Sequence, residues 1–102
     1  MTESSSRVII AGHYRVDAAQ RDAVVVAFTD LVTRSRQADG CIDCAITADS
    51  ADEERINMIE IWRDADALDH WRSRANAPDV GVEMRNTQLA RYNATDGGPL
   101  FS

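Results

Sequence analysis

The segment INMIEIW, residues 56 to 62, restricts the fold of this chain more than any other stretch. It alternates like a β-strand, yet both of its faces are apolar. Ile59 and Ile61 fall on one side, Met58 and Trp62 on the other. An antiparallel sheet with helices over one face normally leaves the opposite face wet. Here that face would expose one of the two apolar rows, a patch that soluble monomers rarely tolerate. The strand therefore calls for helices on one side and a second cover on the other. A partner subunit is the simplest cover, with two sheets packed face to face in a dimeric α/β barrel.

The flanking segments fit this demand. Residues 7–16, RVIIAGHYRV, read as a buried strand. Asp17, with Gln20 three residues on, forms a capping-box pattern that opens a helix from about Ala18 to Gln37. Val24, Phe28, Leu31, Val32 and Ser35 share one face of it, and Gly40 supplies the left-handed residue that stops it. Residues 41–48 read as a second strand, DSADEE as a polar turn, and residues 56–62 as the third strand. In RDADALDHWRSRA, Ala65, Leu68, Trp71 and Ala75 recur at helical spacing. A short helical segment is expected from Pro78 toward Asn86, and a fourth strand over 87–93. The order βαββαβ is α+β and ferredoxin-like, with one antiparallel sheet. Residues 7–93 form the domain, between tails at 1–6 and 94–102; the first of these is expected to be disordered.

Charge removes several function classes. With a net charge of −6 and no lysine among its cations, the chain lacks the basic stripe that nucleic acid or an anionic membrane surface requires. Missing lysine also excludes Schiff-base chemistry and a P-loop. No apolar run spans a bilayer, and MTESSS is unlike a signal peptide, so a cytoplasmic location is expected. Cys41 and Cys44 stand three apart on a strand and are expected on opposite faces, as structural thiols rather than a redox or metal pair. No histidine pairing at helical spacing or tight ligand cluster marks a metal site, and no glycine-rich loop marks a nucleotide.

Gly40-Cys41 opening a strand, then Glu60-x-Trp62, Asp64 and Ala67-Leu68, together with GHYRV at 12–16, resemble the antibiotic biosynthesis monooxygenase family. The resemblance spans about residues 7–93 and implies a dimeric barrel. Several members of that family oxygenate aromatic polyketides or quinols with neither metal nor flavin. Others degrade heme, catalyse unrelated reactions or have no known activity. Many members place a histidine nine residues after the Glu-x-Trp tryptophan; here Trp71 holds that position and His70 precedes it. The heme-degrading branch does place a tryptophan there. The positions matching its histidine and asparagine lie near Gly81 and Gly12, which cannot ligate iron.

The expected function is cofactor-independent oxygenation of a phenolic or quinol-type aromatic by dioxygen, with no resident cofactor. Trp62, Trp71, Met58 and Phe28 would form an apolar box around the ring, and Tyr14 would orient a substrate oxygen. His13 or His70, the only histidines, would act as base. Glu60 alternates with Met58 and Trp62 into the same interior, where it is read as half of a structural pair, with an arginine or His13 as partner, or as a general base of raised pKa. Each indole has a plainer reading as core packing. The alternatives are a non-catalytic dimeric barrel that binds a small hydrophobic molecule, and an isomerase on the same scaffold.

Overall fold

The computed structural model describes residues 6–101. Four strands, β1 (Ser6–Arg15), β2 (Cys41–Ala48), β3 (Arg55–Trp62) and β4 (Arg85–Thr95), form one sheet in the order β2-β3-β1-β4. Every neighbouring pair is antiparallel, as a ferredoxin-like split unit requires. Helices α1 (Ala18–Ala27), α2 (Thr29–Gln37) and α3 (Ala65–Arg72) complete the chain.

Register settles which residues share a face. Val8, Ile10, Gly12 and Tyr14 of β1 stand opposite Trp62, Glu60, Met58 and Ile56 of β3, and this row faces the helices. The alternate row of Ile9, Ala11 and His13 beside Ile61, Ile59 and Asn57 faces away, and no helix covers it. Beneath the helices the core has two parts. One gathers Val8, Trp62, Leu68 and Trp71; the other gathers Tyr14, Val16, Val24, Phe28 and Ile56.

The expected single helix over 18–37 is interrupted at Phe28, whose N–H bonds to Val25 O at 3.2 Å in a tightened turn. Three consecutive valines are stiff, weak helix formers, and the break follows them as Phe28 enters the core. Asp17 occupies the N-cap but makes no side-chain cap bond; its carboxylate accepts from Arg85 Nη2 at 3.3 Å instead. Asp64 does cap α3, accepting from the Ala67 N–H at 2.8 Å. That helix ends at Arg72, so Ala75 reaches the core from the loop beyond it. The segment expected to be helical from Pro78 is irregular and lays Val80 and Val82 over the second cluster. Its left-handed Gly81 is incompatible with a continuous helix there.

Gly40 is left-handed at φ +84°, and an added Cβ would sit 2.4 Å from Ala67 Cβ, so the β2 entry and α3 pack as closely as a glycine allows. At Gly12 a Cβ would meet the Gln88 carbonyl oxygen at 1.8 Å, which fixes the close approach of β4 beside a register shift. The cysteines require a correction. Register slips between Cys41 and Asp43, leaving Ile42 as an extra, exposed residue. The bulge restores the phase, so Cys41 and Cys44 both face the helix layer rather than opposite faces. Both are free thiols, and burial pushes each up in pKa while the Ser35 hydroxyl pulls the other way. Such thiols are the protonated, unreactive kind. Residues 1–5, most of the expected N-terminal tail, lie outside the described residues, while Ser6 already belongs to β1.

Candidate active site

β3 carries the site because its helix-facing row places Met58, Glu60 and Trp62 in succession under α3. Trp62 is fully buried, and its indole N–H donates to Glu60 Oε1 at 2.9 Å. That bond satisfies both groups locally: the buried indole keeps its acceptor, and the carboxylate is held by its own strand. The expected His13–Glu60 pairing does not occur, because residues of opposite parity on adjacent strands project to opposite faces. Glu60 stands opposite Ile10, and His13 opposite Asn57.

Trp71, delivered by α3, stacks on Trp62 with ring centroids 6.2 Å apart and planes at 26°. A ring held between two indoles needs about 7 Å between their planes. The indoles touch each other, so they do not sandwich a ligand. Trp62 belongs to the core, and Trp71 is the indole that meets open space. The Arg34 guanidinium also lies over the Trp71 ring, 5.7 Å from its centre, and donates to the Ala75 carbonyl at 2.8 Å.

The open space is a cavity of about 390 Å³ between the sheet and α3. Ile10, Leu31, Leu68 and Ala75 supply apolar walls, Met58 and Trp71 add the polarisable surface, and Glu60 is its only carboxylate. Arg72 and Arg91 lie at its edge with Leu89. A slightly larger cavity of about 430 Å³ lies between α1 and residues 78–82, where Asp79 is the single titratable group. Chemistry therefore favours the first, where an aromatic wall and a carboxylate converge.

Of the residues expected to build one site, the structure brings together Met58, Glu60 and Trp71, with Trp62 directly behind. Tyr14 and Phe28 lie in the second cluster, away from this cavity, and burial raises the Tyr14 phenol pKa. His70 is exposed on α3. His13 sits in the helix-free row of the sheet, where its Nδ1 is buried with no hydrogen-bond partner among the described residues. No histidine lines the cavity. Ile10, Arg72 and Arg91 were missed in sequence. The register Ile10–Glu60–Cys44 could have found the first, since it follows from β1 and β3 pairing centrally.

Three groups of comparisons bear on this arrangement. A candidate antibiotic biosynthesis monooxygenase from Deinococcus radiodurans superposes with a TM-score of 0.75 at 17% identity, covering 93% of this chain and 99% of that one. Rv0793 from Mycobacterium tuberculosis gives 0.66 at 24% identity, covering 94% and 99%. A conserved protein of unknown function from Bacteroides thetaiotaomicron, described as a candidate oxidoreductase, gives 0.69 at 22% identity, covering 90% and 100%. At these identities the likeness is one of fold. A search of curated proteins finds no match. The family model described as Antibiotic biosynthesis monooxygenase matches residues 7–79, the span from β1 through α3 that supplies Ile10, Met58, Glu60 and Trp71. The chain belongs to the antibiotic biosynthesis monooxygenase family, which supports a monooxygenase-like or small-molecule-binding function.

Proposed function

We propose that this protein binds a phenolic or quinol-type aromatic in the cavity beneath α3 and oxygenates it with dioxygen, with no resident cofactor. The observation that carries the reading is the pairing of Trp71 and Met58, an apolar platform for a flat ring, with the single carboxylate of Glu60. The ring packs against Trp71 with its hydroxyl toward Glu60. Glu60 takes the phenolic proton, and the Trp62 N–H on Oε1 fixes the orientation of the carboxyl group. The phenolate is electron-rich enough to pass an electron to dioxygen. Recombination at the ring places one oxygen on carbon, and loss of water leaves a quinone carbonyl. Proton transfer is thus assigned to Glu60 rather than to His13 or His70, neither of which lines the cavity. Trp62 supports the walls from behind rather than touching the ring, and Tyr14 and Phe28 pack in the second cluster.

A second copy of the chain is proposed to cover the helix-free face, where Ile59 and Tyr92 are exposed. The cytoplasm remains the proposed setting. No helix among the described residues is long and apolar enough to cross a membrane.

The test is turnover of 1-naphthol under ¹⁸O₂. The expected product is 1,4-naphthoquinone with one labelled oxygen, formed faster than in buffer, the second oxygen leaving as water. Absence of acceleration across a panel of naphthols and hydroxyanthracenes that bind and quench tryptophan fluorescence would reduce the protein to a binder of small aromatics.

A further inference from the structure

The arginines of this chain are not distributed evenly between paired and unpaired. Among the described residues, Arg7, Arg15, Arg21, Arg34, Arg55, Arg63 and Arg85 each form an ion pair with a carboxylate. Arg36 donates to the Cys44 carbonyl at 2.8 Å. Arg72, Arg74 and Arg91 have no partner among the described residues. In a chain of net charge −6, carboxylates are plentiful, yet these three exposed guanidiniums pair with none among the described residues. Two of them, Arg72 at the end of α3 and Arg91 on β4, edge the cavity beneath α3 from opposite sides. Arg74 belongs instead to a shallow cleft behind Trp71, with Arg34 and Gln37.

The cavity is therefore polar in a definite sense. Its interior holds one carboxylate, Glu60, among apolar walls, and its edge holds two free cations. An anionic ligand group is repelled from the Glu60 end and attracted to the rim, where a guanidinium can grip a carboxylate through two parallel N–H bonds. A neutral ring system would leave both arginines unused. We infer that the ligand is an aromatic acid whose carboxylate is held between Arg72 and Arg91 while its hydroxyl-bearing end points inward to Glu60.

This rests on the reading of the cavity as the ligand site, and the experiment separates the two. The probes are 6-hydroxy-2-naphthoate and its methyl ester, which have nearly the same shape and carry hydroxyl and carboxyl at opposite ends of a flat body. Binding is followed by calorimetry and by tryptophan quenching. The acid binds about tenfold tighter than the ester at low salt. Two solvent-exposed pairs support roughly that factor, and added salt erodes it. Arg72→Gln and Arg91→Gln each remove part of the preference, and together they bring acid and ester to equal affinity. Arg74→Gln leaves the preference intact. All three arginines are exposed and unpaired, so the variants keep the wild-type circular dichroism. Equal binding of acid and ester to the wild type overturns the inference and leaves the cavity as a site for neutral aromatics. A preference that survives the double variant also overturns it, because the acid is then held elsewhere. Failure of both probes to bind removes the cavity as ligand site and the inference with it.

Discussion

The two faces of β3 are built from the same eight residues and serve different ends. Toward the helices, Ile56 and Trp62 are fully buried while Met58 and Glu60 between them are only partly so. The ends of the strand anchor the two core clusters, and its middle borders the cavity. On the opposite face Ile59 is 37% exposed, and no helix lies over it or its neighbours. Large apolar side chains alone do not distinguish the two faces. Packing that stops short under α3 leaves room for a ligand, whereas a flat row of isoleucines across a sheet suits a matching sheet.

The sharpest break in that comparison comes from Trp62→Ala. Trp62 is a core residue despite its proximity to the cavity, so truncation should lower stability by about 3–5 kcal/mol in a denaturant titration. A loss below ~1 kcal/mol would mean the indole borders open space, erasing the contrast between anchored ends and a hollow middle. On the other face, Ile59→Arg should leave each chain folded but dissociate the proposed dimer, read as a monomer at micromolar concentration in sedimentation. Permanent interfaces bury about 2,000 Å² or more, and an unpaired charge at the centre of one is not accommodated. A wild-type monomer would strip this face of its proposed role.

Glu60→Gln should reduce kcat by about 100-fold, the lower end for a positioned proton acceptor, with little change in stability because glutamine can still accept the Trp62 N–H. His13→Asn and His70→Gln should keep turnover near wild type. The reverse pattern would return the chemistry to a histidine and to a different surface. The smallest effect concerns acid. The Glu54 backbone N–H and the Arg15 guanidinium hold Asp52 below its ordinary pKa. A depressed folded value means that this stabilisation is present above the ordinary ~3.9 and disappears as pH falls through the lower folded value. Asp52→Asn should therefore flatten the loss of stability below about pH 4 without altering the shape of the profile above pH 5. An unchanged acid limb would assign that loss to the other paired carboxylates, Asp39, Asp49 and Asp64, whose values are also depressed.

Much of this was legible in sequence, for local reasons. Period-two alternation in 56–62 follows from the geometry of any extended strand, so its two rows could be separated before pairing was known, though not which of them faces the helices. Gly40 announced a left-handed stop, because that effect operates within a few residues of the chain. Where the reading failed, a non-local contact had intervened. Asp17 turned from its own helix to Arg85, and Phe28 broke a helix on entering the core. One inserted residue at Ile42 reversed the phase that had separated the cysteines.

The sequence by itself determined the βαββαβ order and the common face of Met58, Glu60 and Trp62, since these depend on spacing along the chain. Only the tertiary structure decided that Trp62 and Trp71 stack on one another, that both histidines lie outside the cavity, and that Arg72 and Arg91 both line it. The physical reason is range. Alternation fixes the direction of a side chain relative to its own strand, but the distance between two elements depends on how every residue between them packs. A cavity is where that packing is incomplete, so no single segment of the chain encodes it.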